Sequence, residues 1–147
     1  MSYDISGVNS TLRITTSVTF PAGFTISDWA DDADAIDITV KDIAEGGMGA
    51  GADAVYWAVP KLIEMTINVI PDGTSDINLQ ILAQANTAVK GKLLAKDVIV
   101  GTYVNQNDGK IVTFNNGRLT KAAPANSVAQ NSKIKSKQYS FMFESAT

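Results

Sequence analysis

Ile63-Glu64-Met65-Thr66-Ile67-Asn68-Val69 alternates without a break between apolar and polar side chains. A period of two places Ile63, Met65, Ile67 and Val69 on one face of an extended strand and Glu64, Thr66 and Asn68 on the other. The turn residues Pro71-Asp72-Gly73 stop it. The same period recurs upstream. Leu12, Ile14, Val18 and Phe20 alternate with Arg13, Thr15, Ser17 and Thr19 until Pro21 and Gly23, and Ile36, Ile38 and Val40 alternate with Asp37, Thr39 and Lys41. Val55 to Val59 reads as a further strand ending at Pro60. The first half of the chain is therefore expected to be strands.

One helix is expected. Ser75 is a candidate N-cap, Asp76 suits the first turn, and Ile77, Ile81, Leu82, Ala85 and Val89 recur at helical spacing before Lys90 and Gly91. Val98 to Val104 is apolar on both parities and predicts a central strand buried on two sides. Asn107-Asp108-Gly109 predicts a hairpin turn into Ile111 to Phe114, and Asn115-Asn116-Gly117 a second turn leading towards Leu119. Residues 121–132 read as a loop. In the last strand, Lys133 to Glu144, one face runs Lys133, Lys135, Lys137, Tyr139, Phe141 and Phe143, basic at one end and aromatic at the other.

A chain of 147 residues reads as one domain, 1–147, with a flexible N-terminal arm over 1–11 and a glycine-rich loop over 41–53. It has no cysteine and no histidine, which removes disulfides, thiol nucleophiles, Cys/His zinc sites and the Ser-His-Asp triad. No enzyme is expected. The N-terminus lacks the basic and apolar regions of a secretory signal, and no apolar run approaches the ~20 residues of a membrane-spanning helix, so a soluble protein is expected.

The glycine run Gly46 to Gly51 lacks the Gly-Lys-Ser/Thr ending of a phosphate loop. Asp31 to Asp37 resembles a calcium loop only loosely, with Ile36 where an oxygen ligand is needed. Asp37, Asp42 and Glu64 carry nothing that raises them above surface carboxylates. Catalytic, cofactor-binding and metal sites are therefore each expected to be absent. Trp29 and Trp57 read as core or interface anchors.

Charge is segregated along the chain. Asp28 to Asp53 holds eight acids and one base, a formal charge of −7, whereas Lys110 to Lys137 holds six bases and no acid, +6. Two such runs either lie in solvated loops or mark patches by which identical subunits meet in one repeated orientation. On the second reading Asp31, Asp32, Asp34, Lys133, Lys135 and Lys137 are candidate intersubunit contacts. Gly46, Gly47, Met48 and Gly49 join them, as a segment ordered on assembly.

Phe24 to Ile38, with its Asp28-Trp29-Ala30-Asp31-Asp32 core, then Met65 to Pro71 leading to Asn78-Leu79, and finally Lys135 to Glu144, resemble in order the tail tube proteins of contractile-tailed bacteriophages. Ala35 departs from the proline expected there. The resemblance implies a mainly β subunit, a β-sandwich or barrel-like fold with one flanking α-helix. It implies hexameric rings stacked into a tube that conducts DNA into the host. It further implies a virion location after assembly in the host cytoplasm, with the sheath, baseplate, tail terminator and tape measure proteins as partners and non-specific DNA in the lumen. A long loop between early strands, here Lys41 to Asp53, would reach the next ring. A polar lumen is expected, with Arg13, Thr15, Ser17, Asp37, Thr39 and Lys41 as candidate lining residues. The alternatives are a tail terminator or minor tail protein, or a small ligand-binding β-barrel.

Overall fold

The computed structural model describes residues 10–31 and 33–147. Its strands are β1 (Ser10–Thr16), β2 (Phe24–Ile26), β3 (Ile36–Ile38), β4 (Ala44–Met48), β5 (Ala54–Ala58), β6 (Ile63–Val69), β7 (Ile99–Asn105), β8 (Lys110–Ala122), β9 (Lys137–Phe143) and β10 (Ser145–Ala146), with one helix, α1 (Thr74–Asn86), between β6 and β7. The fold is mainly β. Every pairing is antiparallel, and the order β2-β1-β7-β8-β9-β6-β3, with β10 also on β8, forms one eight-stranded sheet that folds round its own core. β4 and β5 form a separate two-stranded hairpin.

The alternation in β6 survives intact. Ile63, Met65, Ile67 and Val69 are buried and face Tyr139, Phe141 and Phe143 across the paired strand β9. From the other half of the sheet Leu12, Ile14, Ile26, Ile99 and Phe114 complete the core, and Leu79 and Leu82 of α1 close it. The Phe114 and Phe143 rings lie 5.3 Å apart, so the two halves meet through aromatic contact.

The strand β8 makes this possible. Its first part pairs with β7 and its last part with β9, and between them Asn115-Asn116-Gly117 forms a bulge rather than the predicted turn. Asn116 takes φ +52, which asparagine tolerates. A Cβ on Gly117 would lie 2.2 Å from Phe143 Cδ1, so glycine is required for the ring to lie against the strand. A turn motif and a bulge use the same residues. What distinguishes them is whether hydrogen-bonded partners continue on both sides.

Other expectations shift for identifiable reasons. The strand from Leu12 ends at Thr16 because the buried Asp97 carboxylate accepts the Val18 amide at 2.9 Å, the Thr19 amide at 2.8 Å and the Thr19 hydroxyl, which turns the chain. The chain returns as β2, which pairs Phe24 and Ile26 with Ile14 and Leu12 and was not anticipated. The strand from Ile36 stops at Ile38, leaving Val40 exposed. The glycine-rich loop is in large part the strand β4, because Gly46 and Gly47 pair with Tyr56 and Val55. Of the N-terminal arm, residues 1–9 lie outside the described residues, while Ser10 and Thr11 already belong to β1.

The helix begins two residues earlier than predicted, with Gly73 and not Ser75 as its N-cap. It also turns a different face inwards. Ser75, Asp76, Leu79 and Leu82 are buried, whereas Ile77, Ile81 and Val89 are exposed. β7 is central as predicted, but its outward side chain Val100, and Val98 just before the strand, are left exposed, so the segment is not buried on two sides.

Two measurements check this account. Gly117→Ala forces a methyl group into the Phe143 ring and should cost about 1–3 kcal/mol in urea unfolding, and adding Phe143→Leu should recover part of that loss. Burial pushes the Asp97 carboxyl up, but hydrogen bonds from Thr19, Asn86 and Val18 outweigh this and hold it below the usual carboxylate range. Its contribution is therefore present above the unfolded pKa and is lost as pH falls through the folded one. Asp97→Asn should cost about 1–3 kcal/mol at neutral pH, and the difference from the parent should shrink progressively below about pH 4.

Candidate assembly surface

The feature that stands apart from the body is the β4–β5 hairpin. Every residue of both strands is exposed, and neither strand makes an extensive contact with any other element among the described residues. Opposed residues share a face, so Ala44, Gly46, Met48, Ala54, Tyr56 and Ala58 form one side, and Glu45, Gly47, Val55 and Trp57 the other. The first side carries no charge. A Cβ on Gly46 would lie 3.0 Å from Tyr56 Cδ1, so the glycine leaves room for the aromatic ring opposite it. On the second side Trp57 Nε1 donates to Glu45 Oε2 at 3.2 Å.

The apolar exposure extends through the stems of the hairpin. Val40 is 96% exposed, Ile43 78%, Tyr56 77% and Met48 71%, and Leu62, also exposed, follows in the link between β5 and β6. These uncovered apolar side chains form a contiguous stretch of the kind that interaction surfaces carry. Trp57 belongs to it. Trp29, in contrast, packs against the core and donates Nε1 to the Ser10 carbonyl at 2.8 Å.

The charged candidates are dispersed and partly joined within the subunit. Lys133 Nζ bonds Asp31 Oδ2 at 2.9 Å across an exposed surface, and Lys133 holds the Asp31 carboxyl below its usual range. Asp34 is exposed, and Asp32 lies outside the described residues. Lys135 is exposed, whereas Lys137 is buried and lies 3.6 Å from the buried Asp76. Of the three lysines expected to reach water or another copy, one is thus committed to the interior. Tyr139 donates to Asp76 Oδ1 at 2.5 Å, and Gln80 Nε2 donates both to Tyr139 Oη at 2.8 Å and to the Ala123 carbonyl at 2.7 Å. Burial, reinforced by the Asp76 carboxylate, keeps the Tyr139 hydroxyl protonated far above the usual phenol range. These groups join α1 to β9 and the segment after β8. They are a structural network whose hydrogen bonds are made among themselves, and Gln80 and Ala123 of it also border a surface groove.

The candidate lumen residues fall on two parts of the sheet. Arg13 and Thr15 are on the outer face of β1 with Ser17 just beyond it, while Asp37 is on β3 with Thr39 and Lys41 following it. All six lie on the outside of the core. β1 and β3 belong to opposite ends of the strand order, so one subunit does not bring the six together. The alternating pattern reported outward orientation, but not which outer surface.

Two solved structures share this architecture. A tube-terminating cap of an anti-feeding prophage matches with a TM-score of 0.54 at 12% identity, over 100% of this chain and 91% of that one. The sheath/tube terminator of an extracellular contractile injection system matches with a TM-score of 0.53, also at 12% identity, over 99% and 96%. The fold is therefore one found in terminal components of contractile injection machines. The chain itself belongs to the tail fiber protein gp32 family, whose model matches residues 3–147. A comparison with curated protein sequences finds no match.

The two lysine environments should separate in mutagenesis. Lys137→Glu places a second carboxylate beside Asp76 in a buried site and should destabilise the subunit by about 3–5 kcal/mol in urea unfolding. Lys133→Ala removes only an exposed pair and should leave the unfolding midpoint unchanged. Reversing all three lysines would therefore unfold the subunit before it reported on assembly.

Proposed function

We propose that this chain is a structural tail protein without catalytic function, the subunit of the inner tube of a contractile bacteriophage tail, assembled as stacked hexameric rings. The observation that carries the reading is the uncovered apolar hairpin with its stems. An isolated two-stranded hairpin is marginal in water, and one that exposes tyrosine, tryptophan and methionine gains stability only when another surface covers it. A projecting element that seats on a different part of an identical subunit makes a heterologous contact, and such contacts generate rings and stacks. The short edge strands β2 and β3 are compatible with pairing between neighbours, since three residues each are enough to register a join without inviting indiscriminate aggregation. In this role the sheath lies outside the tube, and the tape measure protein and DNA occupy its lumen in turn within the virion.

The second reading is a tube terminator, favoured by the two structural neighbours and their nearly complete mutual coverage. A terminator closes an existing tube and does not propagate. Negative-stain microscopy of the purified protein at increasing concentration separates the two. The tube subunit should give tubes whose length grows with concentration, a terminator should give single rings that stop, and a protein monomeric at every concentration would overturn both.

A further inference from the structure

A groove runs between the second half of α1 and the chain that continues from β8. Ala83, Thr87, Val89, Ala122, Ala123 and Pro124 line it together with Gln80 and Gln84, with Lys92 at its edge, and its volume is about 450 Å³. A cavity of about 410 Å³ adjoins it along Leu119 to Ala122 and adds Lys121. Small side chains dominate the walls. Nothing in the core or the polar network fills this space, although its size is that of a site that encloses large side chains.

We propose that this groove receives the Tyr56 face of the β4–β5 hairpin from a second copy of the chain. The inference rests on the self-assembling role proposed above and identifies where that contact is made. Shape is the first argument. The uncharged hairpin face presents two large exposed side chains, Tyr56 and Met48, among alanines and a glycine, while the groove presents alanines, a threonine, a valine and a proline between two glutamines, so large side chains on one surface meet a largely apolar hollow on the other.

Charge is the second argument. Asp42 and Asp53 flank the hairpin, and Lys92 and Lys121 border the groove, so a neighbour's hairpin arrives with acids opposite bases. The third is topology. The hairpin makes no extensive contact with α1 of its own chain, which leaves the groove for another copy. Donor and acceptor surfaces differ, so the contact repeats from subunit to subunit in one direction. The basic run of the sequence thus acts at this contact through Lys121, joined by Lys92 from outside the run, rather than through Lys137.

The chain has no cysteine, so a disulfide can be introduced as an unambiguous reporter. Ala54→Cys lies beside Tyr56 on the docking face, and Ala122→Cys lies in the groove wall. Combined in one chain and mildly oxidised after assembly, the pair should give a ladder of multimers on a non-reducing gel that collapses on reduction. The pair Ala54→Cys with Asn107→Cys, at the exposed β7–β8 turn, should give no ladder. In addition, Tyr56→Ala should raise the concentration needed for assembly at least tenfold while the subunit stays folded. Rings or tubes visible by microscopy without the ladder, or equal ladders from both pairs, would overturn the groove assignment and leave the assembly role standing. A protein that neither cross-links nor forms particles at any concentration would overturn both.

Discussion

The structure depends on β8 belonging to both halves of the sheet at once. A strand can hydrogen-bond to β7 first and β9 later only if it changes direction without losing its ladder, and the bulge at Asn115-Asn116-Gly117 accomplishes that change. The bend brings Phe114 and Phe143 into contact and closes the core. Gly117 is fixed by this packing as much as by backbone geometry, since the Phe143 ring occupies the volume that any side chain would need. β10 then returns along β8 and ties the C-terminal end to the same strand.

The polar interior explains the orientation of the helix. Asp76 satisfies the Asp72 amide, the Tyr139 hydroxyl and the charge of Lys137, and these partners are available only if its side of α1 faces inwards. Turning the isoleucine side inwards would leave Lys137 buried without a counter-charge, a far larger cost than exposing two apolar side chains. Ile77 and Ile81 consequently point outwards. Local apolar spacing was outweighed by long-range electrostatics.

Function follows from what remains uncovered after that core is complete. The body satisfies its own polar groups, and among the described residues no buried side-chain donor or acceptor lacks a partner. The hairpin and its stems, in contrast, expose aromatic and aliphatic surface that folding alone does not bury. A self-sufficient body with an uncovered apolar arm is the physical basis of the assembly role proposed for this chain, since covering the arm would remove that apolar area from water.

Side-chain period by itself determined the strand character of β1, β6 and β9, the presence of one helix, and the aromatic end of the β9 face, because burial on one side of a strand imposes alternation directly on the residues, while β7 was legible as a continuous apolar run. Absence of cysteine and histidine likewise narrowed the chemistry before any fold was considered. Tertiary structure alone decided which turn-like sequence became a bulge, which helix face entered the core, and that Lys137 would be buried against Asp76 while Lys133 stayed at the surface with Asp31. It also decided that a glycine-rich segment would be a paired strand, because only the Tyr56 ring opposite Gly46 makes such a strand worth ordering. Each of these outcomes depends on a partner distant in sequence, and alternation carries no information about what lies across the interface.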